Sequence, residues 1–362
     1  MDTTSPPLLG SVLIFGGCGF LGHHIAKAAL HSPDATSVAV VDIDTSKNRI
    51  PGIEYITGSI KSTSDVALAF KTTQPTVVFH IVSPDPFSTK KNAVFQAVNV
   101  DGTKLVIAAA QECETTKALI YTSSSSIIHD DRSDMIMATE DARVIFAPEQ
   151  PEFYSHTKAL AERLVLAANG DRVRTAAIRP AGLFGEGDMG TVTSVISNAR
   201  EGKGRLQIGD NSNLFDWTYV ENNAYAQLLT ARALVRSYDA PLLSKNLRVD
   251  GEAFVITNDD PWNLWTFTRA LAAAAGYPIA EKDVVAVPGR AMMTIAWVLE
   301  WAFWIFTAGR REPRLTRARV KYTTMVRTCD ISKAKERLEY RPQIDMQEGI
   351  RRSAKWFLES HA

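Results

Sequence analysis

The chain has 362 residues with 40 basic and 40 acidic side chains, long enough for one large domain or two closely joined ones around a sizeable core. Zero net charge argues against a nucleic-acid binder, whose affinity comes mostly from neutralising phosphates. Three scattered cysteines, Cys18, Cys113 and Cys329, suit a reducing compartment without a disulfide frame, and no Cys/His cluster has zinc spacing, so no metal is expected.

The first residues, Met1 to Pro7, lack the basic start of a signal peptide. Val12 to Phe15 is a short apolar run that ends at Gly16-Gly17-Cys18-Gly19-Phe20-Leu21-Gly22. A helical pattern follows through His24 to Leu30, then a second apolar run, Val38 to Val41, ending in Asp42. This is strand, glycine turn, helix, strand, acid. Glycines permit a tight turn and let the backbone approach a pyrophosphate at the positive end of the helix. The acid at the second strand's tip can hold adenosine ribose hydroxyls and repels a 2′-phosphate, which favours NAD over NADP, although Lys47 and Arg49 lie close by.

The alternation continues. Glu54 to Thr57 reads as a strand, Ser64 to Lys71 as a helix and Val77 to Val82 as a buried strand, followed by a loop with Pro84 and Pro86. Asn92 to Ala110 reads as one long helix, and Ala118 to Thr122 as a strand running into Ser123-Ser124-Ser125-Ser126. Arg174 to Arg179 is a further strand, closed by Pro180. The expected fold is α/β: a Rossmann-type doubly wound parallel sheet with helices on both faces, binding its ligand at the carboxyl ends of the strands.

Between the serine run and the Arg174 strand stands Tyr154-Ser155-His156-Thr157-Lys158. A tyrosine and a lysine four apart fall on one side of a helix, one turn from each other. A phenol with a pKa near ~10 is a poor base at neutral pH. A neighbouring ammonium, and a cationic ring bound beside it, favour the phenolate.

Past Pro180 the pattern loosens. Gly182 to Gly190 reads as a loop, Val192 to Gly202 as a helix, and Asp216 to Asn222 returns to the core before a helix over Asn223 to Arg236. Ala253 to Ile256 is a strand, and Trp262 to Gly276 a helix started by Asp259-Asp260-Pro261. The division expected is a dinucleotide-binding domain over 1–185, with returning elements around 215–257. Residues 186–362 then form mainly a smaller C-terminal substrate lobe. The most apolar stretch, Ala291 to Ala308, holds Trp297, Trp301 and Trp304, with Glu300 near its middle. Arg290 precedes it; Arg310, Arg311, Arg314, Arg317, Arg319 and Lys321 follow. Tryptophan with flanking basic residues suits a helix lying in a membrane interface. A packed helix of the substrate lobe and a membrane-spanning helix are the alternatives, and Glu300 counts against the last.

These stretches together resemble the extended short-chain dehydrogenases. Within them the chain is similar to the 3β-hydroxysteroid dehydrogenase family, in its fungal sterol-4α-carboxylate 3-dehydrogenase branch. The carriers are Gly16 to Gly22, Val98 to Thr103, Tyr121 to Ser125, Tyr154 to Lys158 and Arg179 to Gly185. Three more are Trp217 to Asn222, Phe254 to Asp259 and Leu338 to Pro342. Phe15, Ser59 and Val82 depart from the family pattern.

The resemblance implies Tyr154 as acid/base, Lys158 as the residue that lowers its pKa and holds the nicotinamide ribose, and Ser124 on the substrate oxygen. Ser123 and Ser125 compete for that last role. It implies NAD contacts from Gly16, Gly19, Phe20, Leu21, Gly22, Asp42, Ser83, Asn99, Tyr154, Lys158 and Pro180. His80 is expected to be structural and His156 a polar surface or cleft residue. The implied reaction is NAD-dependent oxidation of the 3β-hydroxyl of a 4α-carboxysterol or related triterpenoid, with loss of carbon dioxide. Alternatives are a 3β-hydroxysteroid dehydrogenase, with or without isomerase activity, on a substrate without that carboxyl group. A nucleotide-sugar epimerase or dehydratase and a non-catalytic dinucleotide-binding regulator rank below. The expected partners are the sterol, no nucleic acid, a peripheral membrane contact through about 290–308, and a second copy as a homodimer. The expected place is the cytosolic face of the endoplasmic reticulum membrane, or else the cytoplasm.

Overall fold

A computed structural model describes residues 8–85, 92–240, 247–307, 313 and 315–361. Met1 to Pro7, Pro86, Ala308, Arg310, Arg311 and Arg314, all named above, lie outside the described residues.

In chain order the first part runs β1 (Gly10–Phe15), α1 (Phe20–Leu30), β2 (Ala35–Asp42), β3 (Glu54–Thr57), α2 (Thr63–Thr73) and β4 (Val77–His80). It continues with α3 (Asn92–Phe95), α4 (Thr103–Glu112), β5 (Ala118–Thr122), β6 (Met135–Ala138), α5 (Phe153–Ala167) and β7 (Arg174–Pro180). The second part holds β8 (Gly182–Phe184), α6 (Thr191–Arg200), β9 (Leu206–Ile208), β10 (Leu214–Phe215), β11 (Trp217–Tyr219), α7 (Val220–Asp239) and β12 (Glu252–Ile256). Then come β13 (Trp262–Asn263), α8 (Leu264–Ala274), β14 (Val285–Val287), α9 (Gly289–Thr307), α10 (Arg317–Tyr322), β15 (Arg327–Cys329), α11 (Ser332–Arg337) and α12 (Met346–Ser360).

Seven strands form the main sheet in the order β12-β7-β5-β4-β1-β2-β3, and every neighbouring pair is parallel. The fold is the doubly wound parallel sheet that the sequence pattern predicts. β1, β4 and β5 carry the apolar runs Val12 to Phe15, Val77 to Phe79 and Ala118 to Tyr121, all buried because helices cover both faces of the sheet. The order reverses direction between β1 and β4, which opens a crevice at the carboxyl edge. The register sets the depth of that crevice. Phe15 pairs with Val41 and His80, His80 with Tyr121, and Thr122 with Ile178. The segments that follow these residues therefore emerge at one level: the glycine turn, Asp42, Ser83 and the serine run.

Three expectations about elements change. The predicted helix over Asn92 to Ala110 is not uniform: Gln96–Gly102 between α3 and α4 is π-helical. Gly102 passes the Ile60 side chain there so closely that a Cβ would sit 2.7 Å from its Cδ1. The loop predicted over Gly182 to Gly190 starts as β8, paired with β11. The helix predicted from Trp262 starts two residues later, because Trp262 and Asn263 pair with β10 first. β6, β9, β14, β15, α10, α11 and α12 were not expected. The four strands are three or four residues long and too short to show a period.

Beyond the main sheet, β13-β10-β15-β6 form a second sheet and β14-β9 a third. A polar clasp ties the segment before α12 to the start of α7 and the end of β12. Asn222 donates to the Ile344 carbonyl (2.7 Å) and to Asn258 Oδ1 (3.0 Å), and accepts from the Gln343 and Ile344 N–H groups. Tyr340 donates to the Thr257 carbonyl at 2.9 Å. α12 lies so close that a Cβ on Gly349 would meet the Tyr219 ring at 2.9 Å.

Candidate active site

The glycine turn is shaped by two close approaches. Gly16 takes φ +88, a conformation that L side chains rarely adopt, and its N–H donates to Val41 O at 2.8 Å. A Cβ on Gly22 would stand 2.1 Å from the Gly16 carbonyl oxygen, so only glycine lets α1 start there. Gly19 caps α1 without any side-chain partner for its first N–H groups, which include those of Phe20, Leu21 and Gly22. An uncapped helix N-terminus behind a glycine turn is an anion site. Asp42, at the tip of β2, accepts the Cys18 N–H through Oδ2 at 3.1 Å. These groups fit a dinucleotide: a pyrophosphate on the turn and a ribose on the carboxylate.

Tyr154 and Lys158 lie on the first turns of α5. Tyr154 is half-buried, edge-on to Phe95 at 6.1 Å. Burial pushes its pKa up to about 12; the Ser124 and Ser83 hydroxyls bonded to the phenol pull it back, and Asp85 raises it. Of the three candidate serines, Ser124 is the one placed against the phenol. Ser123 Oγ is buried with no partner, and Ser125 is buried in the turn that follows.

Lys158 is 2% exposed. Its Nζ donates to the Thr122 carbonyl at 2.6 Å and lies over the Tyr121 ring at 4.7 Å. Burial lowers its pKa to about 7, against the pull of the Glu162 carboxylate one turn on. Glu162 is gripped by Arg179 through three contacts, the shortest 2.6 Å, in a pair almost wholly out of water. Sequence reasoning passed over this pair. Its signal was an acid at the next turn of the Tyr/Lys helix and an arginine before Pro180.

Asn99 sits in the π-helical segment. Its Nδ2 donates to Thr157 Oγ1 at 3.0 Å, and its buried Oδ1 has no partner. Thr103 donates to the Asn99 carbonyl at 2.6 Å, so Thr103 Oγ1 accepts from His80 Nε2 at 2.8 Å. That fixes the His80 tautomer. Burial and the Lys158 charge lower its pKa to about 3, and the ring acts as a neutral spacer under the site. Ser83 donates to the Pro84 carbonyl at 3.1 Å, and Pro180 ends β7 beside Ile256. His156 accepts the Ala147 N–H at 3.0 Å and contacts Phe146 and Phe153. Among the described residues no group of three His, Cys, Asp or Glu side chains could hold a metal ion.

The arrangement is a phenol and a serine hydroxyl converging beside a buried ammonium, at the carboxyl edge of a sheet with a dinucleotide cradle. Residues 13–287 match the 3-beta hydroxysteroid dehydrogenase/isomerase family. The chain belongs to that family. Among its relatives is the decarboxylating sterol-4-alpha-carboxylate 3-dehydrogenase of Candida albicans, 34% identical over 97% of this chain and 98% of the relative. The enzyme of the same name from Schizosaccharomyces pombe is 35% identical over 96% of this chain and 97% of its own. This family member also shares its fold with solved nucleotide-sugar enzymes. UDP-glucose 4-epimerase of Thermotoga maritima, solved with UDP-glucose, superposes with a TM-score of 0.70 at 18% identity, covering 97% of this chain and 99% of that one. That of Thermus thermophilus, solved with NAD, gives 0.67 at 19% identity, covering 96% and 98%.

Proposed function

We propose that this family member oxidises the 3β-hydroxyl of a 4α-carboxysterol or related triterpenoid to the 3-ketone, and that the carboxyl group at C4 is then lost as carbon dioxide. The observation that carries this reading is the near full-length match to the sterol-4-alpha-carboxylate 3-dehydrogenases, in a chain that keeps Ser124, Tyr154 and Lys158 together. NAD, when bound, supplies the hydride acceptor and a positive ring charge near Tyr154. Gly16 to Gly22 hold its pyrophosphate and Asp42 its adenosine ribose, with Ser83, Asn99 and Pro180 along its nicotinamide half. The Asp42 carboxylate favours two free ribose hydroxyls over a 2′-phosphate, hence NAD over NADP.

Ser124 holds the substrate oxygen and Tyr154 takes the hydroxyl proton. Lys158 favours the phenolate, which burial alone opposes. The product is a β-keto acid. It loses carbon dioxide readily, because the electrons of the breaking bond flow into the ketone as an enol, so no dedicated base is needed. We place the enzyme at the cytosolic face of the endoplasmic reticulum membrane, with the aromatic face of α9 in the interface through which a sterol enters. No helix among the described residues is long and apolar enough to cross a membrane.

The test is stoichiometry with a 4α-carboxysterol. One carbon dioxide per NADH is expected. Rapid NADH formation from 4-unsubstituted 3β-hydroxysteroids, with none from the carboxysterol, overturns the reading.

A further inference from the structure

Two serines that the reading above does not use stand in line behind Ser124. Ser155, 2% exposed on α5, donates to Ser126 Oγ at 2.9 Å. Ser126 Oγ lies 2.8 Å from Ser124 Oγ, and the Ser126 backbone N–H donates to the same Ser124 oxygen at 3.2 Å. Ser124 Oγ is in turn bonded to the Tyr154 phenol. Each hydroxyl has one proton to give. Ser155 spends its proton on Ser126, which leaves the Ser126 proton free to be given to Ser124. In that direction both lone pairs of Ser124 are filled, by the Ser126 hydroxyl and the Ser126 N–H, and its own proton is left for the phenol side of the site, where the substrate oxygen would sit beside Tyr154.

We infer that Ser126 and Ser155 are positioning residues: a directed hydroxyl chain, Ser155 to Ser126 to Ser124, that keeps the Ser124 proton aimed at the substrate oxygen. The inference rests on Ser124 and Tyr154 acting as proposed above. The turn does not need the Ser126 side chain for its shape. Its cap is the Ser126 N–H on Ser124, and Gln150 Nε2 braces it from behind on the Ser126 and His129 carbonyls, at 3.3 and 2.9 Å. Ser126→Ala therefore removes one oxygen and leaves the backbone bonds in place. Chains of hydroxyls polarise one another, so the loss is felt at the far end, where the substrate oxygen gains charge.

The experiment measures kcat, KM for NAD and Tm in Ser126→Ala, Ser155→Ala and Ser126→Thr, and repeats Ser126→Ala in a Ser124→Ala background. Ser126→Ala is expected to lower kcat roughly fivefold to tenfold, the weight of one hydrogen bond, with KM for NAD and Tm unchanged. Ser155→Ala should cost about twofold to threefold, since Ser126 keeps its place without its donor. Ser126→Thr, which keeps the hydroxyl, should recover most of the rate. In the Ser124→Ala background Ser126→Ala should cost nothing more, because residues acting through one group are not additive. A Ser126→Ala variant as active as the parent, with Ser124→Ala impaired, overturns the chain and leaves the assignment of Ser124 standing. The same loss in both backgrounds also overturns it, as a structural effect. Full activity in Ser124→Ala overturns the assignment and the chain together.

Discussion

Lys158 sits where an ammonium is costly. The Thr122 carbonyl and the Tyr121 ring face meet it, and burial takes its pKa from an ordinary value near 10.5 to about 7, against the pull of Glu162. Below pH 7 folded and unfolded chains both carry the proton, and the full cost of the buried charge is present. Between 7 and 10.5 the folded chain releases the proton while the unfolded chain keeps it, so the cost fades; above 10.5 it is gone. Lys158→Met should therefore raise Tm by a few degrees at pH 6.5, and that gain should shrink as the melts are taken toward pH 10. The same variant should lose both turnover and cofactor affinity. A Tm at or below the parent's at pH 6.5 would show that the Thr122 contact outweighs desolvation. Tyr154→Phe separates chemistry from binding: kcat should fall by about 10² to 10⁴, the usual worth of a general acid–base, while NAD titration is unchanged. More than a few percent of residual activity would remove Tyr154 from its role. Asp42→Ala should narrow the preference for NAD over NADP, read as the ratio of kcat/KM with the two cofactors, because its carboxylate is what repels a 2′-phosphate. Equal rates with both cofactors in the parent enzyme would refute the preference.

α9 shows how one residue decides what an element does. Glu300 breaks the apolar run in the sequence, yet it does not face outward. Its carboxylate takes the Arg317 backbone N–H at 2.7 Å and the Arg317 guanidinium at 2.6 Å, at the start of α10. Met292 and Ala296 pack inward on Ile208 and Val320. From Ile295 onward the exposed surface is aromatic and aliphatic: Trp297, Val298, Trp301, Trp304, Ile305 and Phe306 are all exposed, Phe306 to 87%. The tryptophans lie edge to face along one stripe, with ring centroids 6.4 and 5.9 Å apart. So the charge that counts against burial in lipid is tied into the α9–α10 joint, at the border between the packed side of α9 and its tryptophan stripe. Replacing Trp297, Trp301 and Trp304 with serine should cut partition into vesicles containing anionic lipid by at least tenfold and leave the solution rate with a soluble substrate unchanged. Equal sedimentation with vesicles before and after the replacement would argue that this face is not the contact.

At the scale of the whole molecule, three of the stretches that carry the family resemblance build the clasp. Asn222 in Trp217 to Asn222, Thr257 and Asn258 in Phe254 to Asp259, and Tyr340 near the end of the chain meet in one hydrogen-bonded network. Asn222 is fully buried and uses both ends of its amide. Asn222→Ala strands those backbone groups and should cost roughly 2–4 kcal/mol in urea unfolding. A change under about 0.5 kcal/mol would mean that the clasp adds nothing to stability.

The sequence alone determines the alternation of strand and helix, the glycine turn with its acid, and the Tyr/Lys pair on one helix face. Each of these is a local pattern: an apolar run, a conformation only glycine adopts, a spacing of four residues. Tertiary structure decides the rest. Which serine of Ser123 to Ser126 meets the phenol depends on how a short turn is braced by Gln150 and α5, and four identical residues in a row carry no period to read. The π-helical segment ends at Gly102, which packs on Ile60, forty-two positions away in the chain. Strands of two to four residues take their form from partners far along the chain: Phe215 from Arg327, and Trp262 from Phe215. The buried Glu162–Arg179 pair and the side of α9 that Glu300 faces are set by packing between elements, and no spacing along a single element records it.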